Sequence, residues 1–377
     1  MINKLDSKRI LIAAGGTGGH INPALAVAGY IRENCPSAKI VFVGTANKME
    51  AKLVPAAGFE LRTIEISGFR RSFAPDAIIH NIKTLLNIFK ASRQAKKIIK
   101  DFKPDVAIGF GGYVSGPVLR MAAKLGVPTA IHEQNAFPGV TNKALAGKVN
   151  TVMLTVADAE KHMTCKNKPV VTGLPIRGDI LSTPAELSRF EMGIGNETLI
   201  LSMGGSLGAQ PVNDAVEGMI VNKYKNKDCR FLHATGKDAA AFCKRLEDKG
   251  VNLKENTHIK VEEYINVPKC LPAADIVICR AGASSLSEIQ ALGKPSILIP
   301  SPYVTENHQY HNAMALVNRG AAIILEEKNL TADSLTKAVN DLLADKHKLK
   351  EIGKNARAMA VVDAAKIISE EICKIVK

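Results

Sequence analysis

Short apolar runs along the chain alternate with longer segments that carry apolar residues at helical spacing. The first run covers residues 10–14 and has no polar residue inside it. Such a run is typical of a parallel strand that is buried on both faces, with helices covering the sheet. The pattern predicts an α/β fold built from alternating strands and helices.

The predicted elements fall into two similar halves. The strands of the first half are predicted at residues 10–14, 39–44, 61–66, 104–110, 127–131, 149–154 and 169–171, with helices at 24–34, 49–57 and 118–125. The strands of the second half are predicted at residues 198–203, 230–234, 258–262, 274–279 and 295–300. A long helix is predicted over residues 348–377, with its last part packing back on the first half. At 377 residues the chain suits two domains of ordinary size.

A glycine-rich turn follows the first strand, with glycines at positions 15, 16, 18 and 19. Glycine permits positive φ and lets a ligand approach the backbone. Asn22 and Pro23 suit the N-cap and first position of a helix whose positive end would face the turn. The turn therefore predicts a phosphate or nucleotide site, with His20 beside the ligand. It matches neither the dinucleotide fingerprint nor the Walker loop.

The same organisation recurs in the second half, where residues 198–203 run into a second glycine loop at 204–208. Two such units predict two doubly wound, Rossmann-like domains facing a cleft that binds a nucleotide sugar or another phosphate ligand. The predicted domains are residues 1–177, together with a C-terminal helix at 355–377, and residues 178–354.

Three further segments carry candidate chemistry. Residues 132–135 (HEQN) end a strand, where parallel sheets bind ligands. Residues 280–288 place an arginine, a glycine turn and three serines at a helix start, although Ser285 and Glu288 also match a capping box. Residues 303–312 form a predicted polar loop. Its histidines lack the carboxylates of a metal set, so sugar hydroxyls are the better match.

Charge is concentrated in one segment of a chain whose formal net charge is +14. Residues 68–103 carry nine basic and two acidic side chains. The apolar stripe of Ile78, Ile82, Leu85 and Phe89 indicates a core-facing helix, whereas Phe69 and Phe73 with neighbouring arginines indicate an anionic membrane surface. No nucleic-acid motif supports the other basic-patch interpretation.

The location expected from composition is the cytoplasm. No apolar run approaches the ~20 residues that span a bilayer, and no signal peptide is recognised at the start. Seven cysteines without a Cys-x-x-Cys pair argue against a disulfide framework or a zinc ribbon.

Six ordered motifs, spread from the first strand to about residue 312, resemble those of the MurG family of bacterial glycosyltransferases. They read GGTGGHINP, GFGGYVSGP, HEQNAFPGVTNK, GLPIR, LSMGGSLGAQPVN and CRAGASSLSEIQALGKPSILIP. The resemblance implies the GT-B arrangement of two domains. It also implies transfer of N-acetylglucosamine from UDP-GlcNAc to the 4-hydroxyl of undecaprenyl-pyrophosphoryl-MurNAc-pentapeptide, with inversion, in peptidoglycan synthesis. The enzyme would work at the cytoplasmic face of the cell (inner) membrane as a peripheral protein.

The same resemblance implies site residues on both halves. Those expected to face the acceptor and donor sugar are Thr17, Gly18, Gly19, His20 and Asn135. Those expected to bind the donor nucleotide or its sugar are Arg177, Ser206, Ile265, Ala283, Ser284, Ser285, Leu286, Ser287, Glu288 and Gln309. Glu288 would accept hydrogen bonds from the ribose, and His308, where the family often has glutamine, has no assigned role.

The transfer needs a base on the acceptor side, because a sugar hydroxyl is a poor nucleophile at neutral pH. His20 is favoured, since an imidazole titrates near the working pH. Glu133 is the rival, although its carboxylate could equally orient His20 or hold the loop. No Asp-x-Asp triplet occurs, so neither a catalytic metal nor a cofactor is expected.

Two alternatives remain open from the residues. A UDP-GlcNAc 2-epimerase would share the two-domain architecture and would need no lipid acceptor. A non-catalytic nucleotide-sugar binding protein would have no turnover to lose when His20 is replaced.

Overall fold

The computed structural model describes residues 2–66, 75–176, 178–205 and 208–376. Within these ranges it describes the side chains of all residues except 75–86 and 178. The chain divides into two compact units. Unit 1 comprises Met1–Pro175 and Val362–Lys377, and unit 2 comprises Ile176–Val361. The boundary after Pro175 lies two residues before the predicted domain boundary after residue 177. Each unit is a parallel sheet with helices, so the predicted class of two doubly wound α/β domains is confirmed.

Unit 1 contains a parallel sheet with strand order β3-β2-β1-β4-β5-β6-β7 within the described residues. Its strands are β1 (Arg9–Ala13), β2 (Lys39–Gly44), β3 (Glu60–Thr63), β4 (Val106–Gly109), β5 (Thr129–Glu133), β6 (Thr151–Leu154) and β7 (Val170–Val171). Its helices are α1 (Gly18–Asn34), α2 (Glu50–Ala56), α3 (Pro75–Phe102), α4 (Gly112–Lys124), α5 (Val140–Ala146) and, at the end of the chain, α15 (Ala364–Ile375). Short 3-10 turns cover Ile2–Leu5 and Ala157–His162.

Unit 2 repeats this plan with strand order β10-β9-β8-β11-β12-β13 in the part that the structure describes. Its strands are β8 (Thr198–Met203), β9 (Cys229–Ala234), β10 (Ile259–Glu262), β11 (Ile276–Cys279), β12 (Ser296–Leu298) and β13 (Ile323–Ile324). Its helices are α6 (Gly178–Ser182), α7 (Ala185–Glu191), α8 (Gln210–Lys223), α9 (Ala239–Asp248), α10 (Val267–Ala273), α11 (Ala283–Leu292), α12 (His308–Val317), α13 (Ala332–Ala344) and α14 (Lys346–Ala358). Thr305–Asn307 and Glu327–Asn329 are 3-10 turns.

The central strands form these elements because they are buried on both faces. Ile10, Leu11 and Ile12 in β1 are all fully buried, and their side chains enter two different apolar clusters, one on each face of the sheet. The unbroken apolar runs predicted this arrangement. In unit 2, Ile276 and Ile278 of β11 likewise lie in the apolar cluster beneath α8 and α13.

The end of the chain returns to unit 1. Ile368 and Ile372 of α15 are fully buried in the cluster that also contains residues of α1. The predicted continuous helix over residues 348–377 is wrong, because α14 ends at Ala358 and α15 begins at Ala364. Ile352 of α14 is buried in the unit 2 core, so the two apolar faces belong to different units and the chain must break between them.

Two helix starts were also predicted wrongly. Helix α1 begins at Gly18 with Thr17 as its N-cap, not at Asn22, and α4 begins at Gly112, not at Val118. Glycine is a poor helix former by about 1 kcal/mol. In α1 the first turn is nevertheless closed by hydrogen bonds from the amides of His20 and Ile21 to the Thr17 carbonyl.

Burial corrects two other expectations. Phe89 is 66% exposed, so it does not lie on a core-facing stripe, and the buried positions in the described part of α3 are instead Ala91, Ala95, Ile99 and Phe102. The other stripe positions, 78, 82 and 85, have side chains outside the described residues. Strand β13 was not predicted, although it lies within the apolar run of residues 321–325.

The strand order decides where ligands can bind. In a doubly wound sheet the crevice lies at the carboxyl ends of the two strands where the order reverses. These strands are β1 and β4 in unit 1, and β8 and β11 in unit 2. Each glycine loop therefore lies at a switch point.

Candidate active site

His20 lies in the first turn of α1, at the switch point of unit 1. Its Nδ1 is 3.2 Å from the carbonyl oxygen of Gly15 and 3.1 Å from Oγ1 of Thr17. The Gly15 carbonyl can only accept, so the hydrogen bond to Gly15 forms in the tautomer that carries its proton on Nδ1 and leaves the lone pair on Nε2. This is the tautomer that a general base at Nε2 requires.

The two loops that follow β1 and β4 pack directly on one another. A methyl group on Gly111 would lie 2.9 Å from Cδ2 of His20, and one on Gly112 would lie 2.3 Å from the carbonyl oxygen of Gly15. Both glycines have positive φ, at 95° and 76°. A side chain at either position would therefore displace His20 or the peptide that holds it.

A buried carboxylate lies behind the first glycine loop. Glu50 of α2 is 0% exposed, and its Oε2 accepts a hydrogen bond of 3.2 Å from the amide of Gly16. Its Oε1 accepts from the amide of Thr45 at 3.0 Å and from the Thr45 hydroxyl at 2.6 Å. Burial, and then the Glu50 charge, raise the pKa of Tyr113, whose ring lies against Gly16.

Glu133, at the end of β5, organises the loop that follows. The carboxylate is 2% exposed, and it accepts hydrogen bonds from the amide of Asn135 at 2.9 Å and the amide of Gly139 at 3.1 Å. The side-chain amides of Asn135 and Asn142 also donate to it, at 3.3 and 2.8 Å. These hydrogen bonds hold Asn135 and the start of α5. This structural role explains why a buried carboxylate is present at Glu133 without assigning it the role of base.

The neighbouring His132 is held as a neutral ring. Its Nε2 donates to the carbonyl of Gly173 at 2.8 Å, and its Nδ1 accepts from the side-chain amide of Gln134 at 3.2 Å. Complete burial lowers the pKa of His132 to about 4. Among the described atoms, Oε1 of Gln134 is buried without a hydrogen-bond partner, and it lies near Gly111.

The switch point of unit 2 is supported by a comparable buried network. His233 of β9 accepts at Nδ1 from the Ser202 hydroxyl at 2.8 Å, and its Nε2 donates to Oδ1 of Asn213 at 3.2 Å. Asn213 in turn donates to the Thr235 carbonyl at 3.0 Å. A methyl group on Gly208 would lie 2.4 Å from that same carbonyl oxygen, so the second glycine loop packs on the end of β9.

Helix α11 starts directly after the turn that follows β11. Its N-cap is Gly282, so the alternative of a capping box at Ser285 and Glu288 is wrong. Ala283, Ser284 and Ser285 are half-buried at the first turn, where backbone amides lack helical partners and favour an anion. The three that follow, Leu286, Ser287 and Glu288, are buried.

The arginine before this turn is a structural residue. Arg280 forms an ion pair with Glu327 and donates to the carbonyl of Ile299 at 3.2 Å. Both charged side chains are about nine-tenths buried. Arg280 therefore ties β11 to the segment after β13, and its guanidinium is occupied.

The predicted polar loop at residues 303–312 is partly wrong, because helix α12 begins at His308. Gln309 lies in its first turn, and its Oε1 accepts from the amide of Ser301 at 2.9 Å. The Nε2 of Gln309 is then the side-chain atom that can donate a hydrogen bond to a ligand. His308 bonds through Nδ1 to the carbonyl of Thr305 at 2.8 Å, which supplies a structural role for a residue left unassigned.

The structure brings together some predicted site residues and leaves others apart or undescribed. Thr17, Gly18, Gly19 and His20 share one turn, and Ile265 lies in the loop between β10 and α10, at the carboxyl edge of the unit 2 sheet. Arg177, Ser206, Phe69, Phe73 and the arginines at 70 and 71 lie outside the described residues.

Sequence reasoning missed Glu50, Thr45 and Tyr113. One signal was present, since Thr45 directly follows a strand at the edge where ligands bind. Glu50 could not be found, because an acidic residue in the first turn of a helix is ordinary.

Within the described ranges, no group of three His, Cys, Asp or Glu side chains could hold a metal ion. No helix in the same ranges is long and apolar enough to cross a membrane. The seven cysteines are free thiols, five of them buried.

The two α/β units match the two domains of a known class of glycosyltransferase. The model of the glycosyltransferase family 28 N-terminal domain matches residues 10–154, and that of the family 28 C-terminal domain matches residues 199–368. The chain belongs to glycosyltransferase family 28.

The chain also resembles individual proteins. The chain is 45% identical to the UDP-N-acetylglucosamine--N-acetylmuramyl-(pentapeptide) pyrophosphoryl-undecaprenol N-acetylglucosamine transferase of Ruminiclostridium cellulolyticum, over 98% of this chain and 100% of the relative. The structure of this chain resembles that of Acinetobacter baumannii MurG, with a TM-score of 0.79 and 28% identity. The match covers 97% of this chain and 99% of the MurG chain. A putative UDP-N-acetylglucosamine 2-epimerase from Listeria monocytogenes shares the fold, with a TM-score of 0.64, 15% identity and coverage of 95% and 94%.

The two buried histidines predict acid sensitivity. Burial lowers the pKa of both His132 and His233 to about 4, whereas an unfolded histidine titrates near 6.5. Between these values the unfolded chain binds protons that the folded chain does not, so the free energy of unfolding falls as the pH falls. The loss is about 3 kcal/mol per histidine at pH 4.

Chemical denaturation between pH 4 and 7 measures this slope. His132→Gln and His233→Gln should each flatten it, while replacement of the exposed His347 by Gln should leave it unchanged. An unchanged slope in both buried-site variants would contradict the assignment.

Proposed function

We propose that this protein transfers N-acetylglucosamine from UDP-GlcNAc to a lipid-linked muramoyl-pentapeptide acceptor, which makes lipid II from lipid I in peptidoglycan synthesis. The Ruminiclostridium cellulolyticum relative carries this activity in its name, at 45% identity over 98% of this chain. The observation in the site that carries the proposal is the 3.2 Å distance between Nδ1 of His20 and the Gly15 carbonyl oxygen at the switch point of unit 1, which suits a proton on Nδ1 and a base at Nε2.

The reaction is an inverting displacement in which His20 is the base. Nε2 of His20 takes the proton of the acceptor's 4-hydroxyl as that oxygen attacks the anomeric carbon of the donor. The bond between this carbon and the UDP oxygen breaks, and UDP leaves with the electron pair. Glu133 is assigned to holding Asn135 and the loop after β5, since four N–H groups already occupy its carboxylate.

The donor is assigned to unit 2. The first turn of α11 offers backbone amides and serine hydroxyls to phosphate, and Glu288 is assigned to the ribose. Gln309 is assigned to the GlcNAc hydroxyls as a hydrogen-bond donor, because the Ser301 amide occupies its oxygen. Ile265 is assigned to the uracil, and Arg177 and Ser206 to the diphosphate. The leaving UDP is then neutralised by protein groups.

The acceptor's lipid chain places the enzyme at the cytoplasmic face of the membrane as a peripheral protein. Residues 68–103 are the proposed contact, because their excess of basic side chains suits an anionic surface. On α3, Phe89 is 66% exposed, which supports the presence of an accessible aromatic side chain in this segment.

Replacing His20 tests the base. His20→Ala should lower kcat by about 10²- to 10⁴-fold, because the acceptor hydroxyl then loses its proton to water alone. UDP affinity, measured by calorimetry, should stay unchanged, since the nucleotide is assigned to unit 2. The assay is transfer of labelled GlcNAc from UDP-GlcNAc to a lipid-linked muramoyl-pentapeptide.

Glu133→Gln is the matched comparison. It should lower kcat less than His20→Ala does, with a loss of thermal stability, because two of its N–H partners lose a carboxylate oxygen. Near-normal kcat in His20→Ala with no turnover in Glu133→Gln would reverse the two assignments. Full turnover in both variants would refute the proposed site.

A second experiment tests the donor site. Glu288→Gln should weaken UDP binding by about 1.5 to 3 kcal/mol, because a neutral amide is a poorer acceptor for the ribose hydroxyls. Replacement of the exposed Glu263, which directly follows β10, by Gln is the control and should bind UDP normally. Equal UDP affinity in the two variants would remove Glu288 from the nucleotide site.

A third experiment tests the membrane contact. Changing Arg70, Arg71 and Lys83 to Ser should weaken binding to anionic vesicles by about 1 kcal/mol per charge. Changing the exposed Lys346, Lys348 and Lys350 of α14 to Ser removes the same charge from unit 2 and should have little effect. Equal losses in both triple variants would show that only net charge matters.

The requirement for a lipid-linked acceptor distinguishes the proposed transferase from the two alternative functions. An epimerase would convert UDP-GlcNAc alone, whereas the proposed transferase releases UDP only when the lipid-linked acceptor is present. A non-catalytic binding protein would show no acceptor-dependent release of UDP.

A further inference from the structure

Two hydrogen bonds join a buried carboxylate to His20 through one peptide group. Oε2 of Glu50 accepts from the Gly16 amide at 3.2 Å, and the Gly15 carbonyl is 3.2 Å from Nδ1 of His20. The Gly15 carbonyl and the Gly16 amide are the two ends of the same peptide bond. The path is therefore carboxylate, peptide N–H, peptide C=O and imidazole N–H, in that order.

A peptide group transmits polarisation because its C=O and N–H are conjugated. A carboxylate that accepts from the N–H polarises the peptide group and increases the negative charge on its carbonyl oxygen. The carbonyl oxygen thereby becomes a stronger hydrogen-bond acceptor. Chains of hydrogen bonds strengthen one another in this way in a low-dielectric interior. The carbonyl then favours the protonated imidazole that forms when His20 takes a proton.

We propose that Glu50 is a positioning residue that acts on His20 through the Gly15–Gly16 peptide, fixing the tautomer of the ring and strengthening it as a base. The proposal rests on the role given to His20 in the proposed function. The arrangement corresponds to the carboxylate and histidine of a catalytic triad with a peptide group placed between them.

The surroundings hold this path in place. Oε1 of Glu50 is fixed by the amide and hydroxyl of Thr45, so Oε2 stays directed at Gly16. On the other side of the peptide, Gly112 leaves no space for the Gly15 carbonyl to move, because even a methyl group there would lie 2.3 Å from it. A carboxylate with no exposed area that meets three donors is suited to such a fixed task.

The other titratable groups on the elements packed around this loop are Tyr113, His132 and Glu133. Tyr113 on α4 has a pKa raised by burial and by Glu50, and His132 on β5 has a pKa lowered by burial, so both are neutral near pH 7. Glu133 is bound by the amides of the following loop. Glu50 is the member of this set whose hydrogen bonds lead to Nδ1 of His20.

Glu50→Gln tests the path while conserving the shape of the side chain. Its oxygen should keep the two Thr45 donors, which leaves the amide NH₂ facing the Gly16 N–H and breaks the link. NMR titration of the His20 ring in the protein without substrates should then show its midpoint at lower pH than in the wild type. In the transfer assay kcat should fall roughly tenfold at neutral pH, with the acid limb of the pH profile at lower pH.

Controls separate this effect from a loss of structure. Glu217→Gln neutralises a buried carboxylate of unit 2 and should move neither the His20 titration nor the acid limb. KM for UDP-GlcNAc should stay within about twofold in Glu50→Gln, because the donor site is elsewhere. If Glu50→Gln does not fold, Glu50→Asp keeps the charge but withdraws it from Gly16, and the same shifts are expected at smaller size.

The outcomes distinguish this proposal from the proposed function. If Glu50→Gln leaves both the His20 titration and the acid limb unchanged while His20→Ala is inactive, Glu50 has no action on His20 and only the present proposal fails. If His20→Ala keeps its activity, the role of His20 as base fails. In the His20→Ala background, Glu50→Gln should cause no further loss of kcat, and an additional tenfold loss would overturn the proposed path.

Discussion

The contact between the Gly15 peptide and Gly112 is the constraint on which the site of unit 1 depends. Gly112 has no space for a side chain, because a methyl group there would lie 2.3 Å from the Gly15 carbonyl oxygen, so the two backbones meet directly at the switch point of the sheet. This contact places the Gly15 carbonyl against His20 and the Gly16 amide against Glu50. One peptide group thereby orients the ring and anchors the loop.

Burial separates the three histidines near the two switch points into different roles. His132 and His233 are completely buried, both of their ring nitrogens are hydrogen-bonded, and their pKa values fall to about 4. They brace the strands beneath the loops as neutral rings. His20 is only half-buried, and its Nδ1 lies 3.2 Å from the Gly15 carbonyl oxygen of its own loop.

Much of the fold could be predicted because both faces of its strands are buried, which leaves a plain signature of short apolar runs. Strand β2 is predicted with its correct bounds, and β8 likewise. Helix starts were predicted less well, since α1 and α4 begin at glycines whose low propensity is overcome by tertiary contacts. The burial of Phe89 was also predicted wrongly, because helical spacing does not say which face meets the core.

For the site, the sequence by itself determined which loops matter, since glycine turns and polar residues directly after buried strands mark the carboxyl edge of a parallel sheet. It also pointed to His20. Only the tertiary structure decided what holds His20, because Glu50 is 30 residues away along the chain and meets the loop through backbone atoms that no side-chain pattern reports. It likewise decided that Glu133 holds a loop, since the amides that bind it are positioned by the fold.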